Sequence, residues 1–178
     1  MAWTPPMTFV TGAAVTAAQL NTHLTANLNE TVPAKATTAG SYFVGTGPNS
    51  IAERQVSHSF VGASESTGLT SPADLDTGGP FFPATTGTKA LLSLSATVSN
   101  NTVGAASLMS VDISGATTIA PVSAVALRFI SAVANQHVQA SYLTLSSLNA
   151  GSNYFVAKYS VGSGTGTWSN RRMILMPL

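Results

Sequence analysis

The sequence predicts a mainly β protein: an antiparallel β-sandwich or jelly roll of about eight strands, preceded by an extended arm, one short α-helix and a small β-hairpin. Apolar runs recur through the last two thirds of the chain, and turn clusters such as DTGGP, NNTVGA and GSGTGT separate them. Within many runs, apolar and polar residues alternate with the two-residue period of a strand. The runs are QVSHSFVG, PFFPA, KALLSLSATVS, ASLMSVDIS, ALRFISA, HVQASYLTLSS, NYFVAKYSV and WSNRRMILMPL.

Two of these runs differ in how their faces must be covered. KALLSLSATVS has one face of serine and threonine and one apolar face. The apolar face consists of Leu92, Leu94, Ala96 and Val98. HVQASYLTLSS carries apolar residues on both faces, because Leu143 and Leu145 lie opposite Val138 and Tyr142. We expect the sandwich to cover one face of this second strand and a neighbouring subunit to cover the other.

The segment VTAAQLNTHLTANLNE, residues 15–30, predicts the helix. Thr16 is a good N-cap, and Gln19, three residues later, completes a capping box. Leucines recur every four residues and therefore share one side of the helix. Pro33 is expected to end the helix, because the residue before a proline avoids the helical conformation.

An extended arm, WTPPMTFVTG, precedes the helix and carries two aromatic anchors. An arm without a local core, followed by a helix with a single leucine row, predicts docking on copies of the chain or on a larger host structure. The alternative is packing on the downstream domain of the same chain. The candidate attachment residues are Trp3, Phe9, Leu20, Leu24 and Leu28.

A connector follows at residues 34–56. Two short runs, SYFVG and SIAER, flank the turn TGPN and predict a Gly-rich β-hairpin. The sequence therefore predicts an attachment arm and helix at residues 1–33, the hairpin connector at 34–56, and the β-sandwich domain at 57–178.

The chain carries little charge. Only 7% of its residues are charged, with seven Lys and Arg against six Asp and Glu, whereas a typical soluble domain has about 25%. Without a basic stripe, no nucleic-acid partner is expected. No apolar run approaches the length of a membrane span, so membrane insertion is not expected either. A nearly neutral surface rich in small residues is typical of a protein that is part of a larger assembly. We expect a homotrimer.

The sequence offers no set of residues for catalysis or metal binding. The three histidines do not pair at ligand spacing, the chain has no cysteine, and no G-x-S-x-G motif occurs. Asp74 and Asp76 share one face of an extended segment, but a calcium site needs six or more oxygens. We therefore predict that the protein is not an enzyme and needs no cofactor or metal.

One cluster is a candidate for surface binding. Trp168, Arg171 and Arg172 follow the glycine loop GSGTGT, and an arginine pair beside an aromatic ring can grip a phosphate or a sugar carboxylate. Trp168 with Tyr154 and Tyr159 would suit sugar stacking, although such residues more often fill cores and interfaces. The alternative for the arginines is an edge strand that points them to water or to a subunit salt bridge.

The N-terminal third, VTAAQLNTHL and NLNE followed by AKATTAGSYFVGTGPNSIAERQV, resembles virion proteins of tailed bacteriophages of actinobacterial type. In these minor tail and short fibre proteins, an adsorption arm and helix precede a short Gly-rich repeat. Ser41 stands where the repeat commonly has an acidic residue. The phrases TTGTKALLSLSATVSNN and GSGTGTWSNRRMILMPL are similar to the C-terminal β-domains of such proteins. The resemblance implies a compact sandwich, often assembled as a trimer.

These expectations converge on a virion structural protein: a short trimeric fibre, spike or minor tail protein. Residues 1–33 would bind other virion proteins of the tail or capsid, and the sandwich would face the host surface, where a glycan is the candidate receptor. A capsid decoration or head fibre protein is an alternative. A carbohydrate-binding or depolymerising module is another, and a β-sandwich of the host cell ranks last because its expected charge is missing.

Overall fold

The computed structural model describes residues 4–178, apart from the side chain of Pro33. The chain divides into two compact units, one reaching Gln55 and one running from Val56 to Leu178. The further division of the first unit into an attachment segment and a connector stays a prediction.

The first unit begins with the described part of the arm and a helix built in three consecutive pieces. These are α1 (Ala17–Leu20), a π-helical turn (Asn21–Thr25) and α2 (Ala26–Leu28). The capping box is present: the Thr16 hydroxyl accepts a hydrogen bond from the Gln19 N–H at 3.2 Å, and the Thr16 N–H donates to Gln19 Oε1 at 2.8 Å.

The end of this helix differs from the prediction. It ends at Leu28, and Pro33 lies in the first turn of a separate short helix, α3 (Val32–Lys35), whose N-cap Thr31 is extended. The fixed φ of proline and its missing N–H suit the first turn of a helix, where that N–H would have no partner. Pro33 therefore begins a helix here and does not end one.

The predicted hairpin is present. Strand β1 (Tyr42–Gly47) pairs antiparallel with β2 (Ser50–Arg54) across the two-residue turn Pro48–Asn49. Asn49 has φ of 54°, a left-handed conformation that asparagine tolerates better than most residues and that two-residue hairpin turns need.

All eight predicted strands occur in the second unit, and one short strand, β4, is added. The strands are β3 (Ser57–Val61), β4 (Glu65–Thr67), β5 (Phe81–Thr86), β6 (Lys89–Asn100), β7 (Ala106–Gly115), β8 (Ala126–Ile130), β9 (Val138–Ser147), β10 (Gly151–Val161) and β11 (Gly166–Pro177). A 3₁₀ turn, Ser123–Val125, precedes β8.

These strands form two antiparallel sheets. One has the order β5-β10-β7-β8, and the other has the order β3-β11-β6-β9, with β4 also paired to β11. Apart from β4, the first, eighth, third and sixth strands form one sheet, and the second, seventh, fourth and fifth form the other. This is the jelly-roll arrangement, so the predicted fold class is confirmed.

The core lies between the two sheets. The apolar face predicted for β6 is fully buried there, as shown by Leu92, Leu94, Ala96 and Val98. The facing sheet contributes Met109, Phe155 and Tyr159, all of them buried. Ser93, Ser95 and Thr97 of β6 point outward, so the two-residue period of the sequence assigns the faces of residues 92–98 correctly. Ser99, near the end of the strand, is buried.

Candidate functional site

The arm is tied to the helix by one asparagine. Asn27 Oδ1 accepts a hydrogen bond from the Thr4 N–H at 2.8 Å, and Asn27 Nδ2 donates to the Thr4 carbonyl at 2.9 Å. Nδ2 also donates to the His23 carbonyl at 3.0 Å, and His23 Nδ1 lies 3.1 Å from the Pro5 carbonyl. Among residues 4–55 whose burial is described, Asn27 is the one buried residue. The helix thus holds the arm by its main chain.

Sequence reasoning missed Asn27. The available signal was its position in a helix, where asparagine is unfavourable unless its side chain has a specific partner.

The arm and helix together form an apolar cleft of about 210 Å³. Its lining residues are Pro6, Met7, Phe9, Gln19, Leu20, His23 and Leu24. Three of the predicted attachment residues, Phe9, Leu20 and Leu24, therefore lie around one cavity. Leu28 continues the leucine row beyond the cleft, and Trp3 lies outside the described residues.

The leucine row stays open to solvent. Leu20, Leu24 and Leu28 are 46–56% exposed, and Phe9 is 66% exposed. A four-residue spacing drifts around an α-helix, and the wider π turn between Leu20 and Ala26 offsets that drift. The result is an exposed apolar row in a segment where, among residues 4–55 of described burial, only Asn27 is buried.

The predicted surface role of Trp168 and Arg171 is wrong. Both side chains are 0% exposed. Strand β11 is not an edge strand, since β3 and β4 pair with one of its sides and β6 with the other. Alternation alone would place residues 168 and 171 on opposite faces, but a β-bulge lies between Ser169 and Arg172. Asn170 adopts a left-handed φ of 50° there, and the extra residue turns Arg171 inward beside Trp168.

Arg171 is paired inside the second unit. Its Nη2 lies 3.3 Å from Glu65 Oε2, and its Nη1 donates to the Thr77 carbonyl at 3.2 Å. The guanidinium carbon lies 5.4 Å from the centroid of the Tyr159 ring, which meets Trp168 edge to face at 5.3 Å. Arg171 thus fastens β4 and the segment leading to β5 onto β11.

The surroundings of this cluster shift the pKa values of Glu65 and Tyr159. Hydrogen bonds from Thr77, followed by the charge of Arg171, hold the pKa of Glu65 below its ordinary value. Burial raises the pKa of Tyr159, whose hydroxyl donates to the Gly79 carbonyl at 2.8 Å. The cluster therefore works as an internal fastening, and sequence reasoning missed Glu65 because its partner is distant in the chain.

Arg172 alone of the three predicted residues is at the surface. Its guanidinium lies 5.3 Å from the centroid of the half-exposed Phe60 ring, a cation–π geometry. Of the rings considered for sugar stacking, Tyr159 and Trp168 are inside, and only Tyr154 is partly exposed, against Phe81. The proposed aromatic platform does not form.

A groove outside the four-stranded sheet brings different residues together. It encloses about 530 Å³ beside Arg128 at β8 and has a floor that includes Leu108 and Val161. Hydroxyl-bearing residues Thr70, Ser123 and Ser160 also line it. Among the described residues, Arg128 has no ion-pair partner. A guanidinium beside hydroxyls suits an anionic ligand that itself carries hydroxyl groups. A lone arginine in ALRFISA gave no pattern to reveal this.

The acidic pair in the sequence DLD has a structural place. The Asp74 carboxylate accepts a hydrogen bond from Lys158 Nζ at 2.7 Å, and Leu75 is buried. Within residues 4–178, no group of three or more His, Asp or Glu side chains gathers as a metal site requires. In the same range, no helix is long and apolar enough to cross a membrane.

No protein-family model and no curated sequence matches the chain. Among solved structures, the chain is similar to Eiger TNF from S. frugiperda (TM-score 0.49, 10% identity, covering 69% of this chain and 91% of that one). It is also similar to the VP2 subviral particle of infectious bursal disease virus, with a TM-score of 0.46 and 11% identity, covering 75% of this chain and 36% of that one. A third similarity is to a family 35 carbohydrate-binding module from Clostridium thermocellum, with a TM-score of 0.35 and 14% identity, covering 66% of this chain and 97% of that one. The resemblance to phage tail proteins stays a prediction.

Proposed function

We propose that this chain is a virion structural protein of a bacteriophage: a short fibre, spike or minor tail protein. Its N-terminal unit attaches it to other virion proteins, and its jelly roll presents a surface to the host. The role is structural and adhesive, not catalytic, and uses no cofactor.

One observation carries the proposal: in the described part of the N-terminal unit, Phe9 and the leucine row stay about half exposed or more, while polar groups hold the arm on the helix. Phe9 and the leucine row surround or extend from an open cleft, and the buried residue that organises them is Asn27. Exposing leucines at half their surface is unfavourable in water, and a contiguous exposed apolar patch commonly marks an interaction site. The cleft is therefore suited to receive apolar side chains of a neighbouring virion protein.

The low charge of the chain supports assembly. With 7% charged residues, copies of the protein meet without strong repulsion, which favours a homo-oligomer, and we propose a trimer. The sequence resemblance to trimeric tail proteins points the same way.

The attachment role is tested by particle incorporation. Purified virions of the producing phage are probed for the full chain, for a form lacking residues 1–33, and for the double variant Leu20→Glu/Leu24→Glu. We expect the first to be incorporated and the other two to be lost. The matched control is Ala18→Glu/Thr22→Glu, which adds the same charge on the opposite side of the helix.

Two outcomes would contradict the proposal. If virions contain no copy of the full chain, the protein is not a virion component. If the truncated form is incorporated normally, attachment does not run through residues 1–33. Electron microscopy of particles labelled with an antibody then separates the tail location, which we favour from the sequence resemblance, from the alternative of a capsid decoration or head fibre.

A second candidate function is the binding of a host-surface glycan. The observation that favours it is the groove beside Arg128, whose guanidinium and hydroxyls suit a sugar carboxylate. A glycan array is the direct measurement. Acidic glycans are expected to bind the full chain, to be lost with Arg128→Ala, and to be retained with Arg172→Ala, which removes an exposed arginine outside the groove. Equal binding by all three proteins would exclude this groove.

A further inference from the structure

The outward face of the five-stranded sheet carries exposed apolar side chains among the serines and threonine of β6. Alternate residues of its strands lie there, opposite the buried ones, and the backbone register sets them in rows. One row is Leu145–Leu91–Met176, and the next is Leu143–Ser93–Ile174. We call this surface the outer sheet face; its large apolar residues are Phe60, Leu91, Leu143, Leu145, Ile174 and Met176.

Strand β9 forms one edge of this sheet and lacks charge and proline along its length. It is ten residues long, and its sequence VQASYLTLSS contains no charged residue and no proline. Soluble proteins usually blunt a long edge strand with charge, proline or a covering element, because an open edge invites pairing with other chains. Leu143 is 62% exposed on this strand. Two features thus point to pairing with another chain at this surface: the lack of charge and proline in β9, and the apolar rows beside it.

The size of the apolar surface matches an interface between copies. Five of these six side chains, all except Leu91, are 36–62% exposed and together leave on the order of 400 Å² of apolar area. A standard interface takes about 800 Å² from each partner, of which roughly 57%, or about 450 Å², is apolar. The outer sheet face supplies the apolar part of one such interface, and its serines supply small polar spacers.

The low charge of the outer sheet face favours another copy of the chain as its binding partner. In the rows from Leu91 to Ser95, Arg172 is the one Lys, Arg, Asp or Glu, and it lies over Phe60. His58 ends the row of Ile174, and Lys89 lies one row beyond Leu91. A charge-poor surface is complementary to another charge-poor surface, and this chain itself provides one. We propose that the outer sheet face, with the edge of β9, is the surface through which copies of the chain associate around a cyclic axis. This inference rests on the proposed homo-oligomer and identifies its contact surface.

The test compares two glutamates at equally exposed positions. Leu143 and Val103 are both 62% exposed, but Val103 lies in the turn between β6 and β7, off the face. The full chain is studied by light scattering over a range of concentrations. We expect wild type and Val103→Glu to give a multiple of the 18.1 kDa chain mass. Leu143→Glu is expected to raise the dissociation constant at least about tenfold.

Each contrary result has a distinct meaning. If wild type is a monomer at every concentration, both the homo-oligomer and its interface are wrong. If Leu143→Glu remains as oligomeric as wild type, the outer sheet face is wrong and the homo-oligomer stands. If Val103→Glu dissociates equally, added charge and not position is responsible, and the face is again wrong. Attachment through residues 1–33 is tested separately by incorporation into virions.

A second measurement does not depend on a disruptive substitution. Because the chain has no cysteine, Ser93→Cys places a single thiol between Leu143 and Ile174. Its alkylation should be at least about tenfold slower than in the Leu143→Glu background, with unchanged far-UV circular dichroism. Val103→Cys should react at one rate in both backgrounds. An equal rate at residue 93 in both backgrounds overturns the proposal.

Discussion

In the unit from Val56 to Leu178, apolar side chains alternate along strands, and those that face the other sheet are buried. In residues 4–55, apolar side chains recur every four residues along a helix and remain about half exposed, while the buried residue is a polar one, Asn27. The same residue types therefore build an interior in one region and a surface in the other.

The difference follows from what each architecture can enclose. Two sheets packed face to face bury side chains between them, so alternation is enough to make a core. A short helix, an arm and a two-stranded hairpin have too few layers to enclose anything, and each is marginally stable alone. Polar contacts then supply the order: Asn27 holds the arm, and Glu53 holds the segment before the hairpin. Loss of a core group should thus act globally, and loss of a polar clamp locally.

The largest effect is expected from Trp168→Ala. This substitution removes the largest fully buried side chain, and core truncations of this kind cost about 3–5 kcal/mol. Chemical denaturation followed by circular dichroism measures the free energy of unfolding. The control Phe81→Ala truncates an aromatic residue that is half exposed and should cost under about 1 kcal/mol. Equal losses would show that the two sites are equally buried, against the structure.

The neighbouring arginines give the next comparison. Arg171→Ala leaves Glu65 without its ion-pair partner and should lower the free energy of unfolding by about 3 kcal/mol. Arg172→Ala removes an exposed cation–π contact and should cost less than about 1 kcal/mol. Denaturation of both variants under the same conditions checks this. A larger loss from Arg172→Ala would contradict the bulge that turns Arg171 inward.

Asn27→Ala should act on the arm alone. It removes the hydrogen bonds to both main-chain groups of Thr4, for a local cost of about 1–2 kcal/mol. Hydrogen exchange should quicken in residues 4–10, with no change in thermal unfolding of the second unit. The control Asn21→Ala replaces an exposed asparagine in the same helix and should leave exchange in the arm unchanged. Global destabilisation by Asn27→Ala would break the distinction between the two units.

The smallest effect is a pH response centred on Glu53. Its carboxylate accepts hydrogen bonds from the hydroxyls of Ser41 and Thr37 and from the N–H groups of Thr37 and Thr38. These bonds lower the pKa of Glu53 from 4.5 to about 2, with Ser41 contributing most. Because the folded pKa is the lower one, the contribution of this clamp is complete above pH 4.5 and is lost as the pH falls through 2.

Amide chemical shifts of Thr37 and Thr38 report on that clamp. They should change only as the pH approaches 2, and Glu53→Gln should abolish the change. The second unit provides the internal reference, since its core contacts do not depend on this carboxylate. A midpoint near pH 4.5 would show that the hydrogen bonds to Glu53 do not form in solution.

Local pattern was sufficient for most of the fold. The eight long strands, the hairpin and the capping box at Thr16 are each specified by a few neighbouring residues, and all of them form. Strand β4 was missed because its three residues, EST, are too few to show an alternating pattern. The place of Pro33 was mispredicted because the same residue both avoids the interior of one helix and suits the first turn of another.

The candidate site was predicted less well, and the reason is physical. Phe9, Leu20 and Leu24 were chosen from apolar spacing, which is visible in one dimension; the structure places them exposed around one cleft, and their role in attachment stays a prediction. Trp168 was misplaced because β11 is a central strand whose inner face the other sheet covers. Arg171 was misplaced because a single extra residue at Asn170 reverses the side of the strand on which every later residue lies. Nothing local in WSNRRMILMPL marks that bulge.

By itself, the sequence determined the strands, the helix start and the nearly neutral composition, since propensity, period and charge are properties of neighbouring residues. The tertiary structure alone decided on which face of β11 the residues after the bulge lie. It paired Arg171 with Glu65 across 106 positions of chain, set the rows of the outer sheet face by strand register, and brought the arm back onto Asn27. These outcomes depend on distances between residues far apart in the chain, which are fixed only when the sheets and the helix have packed.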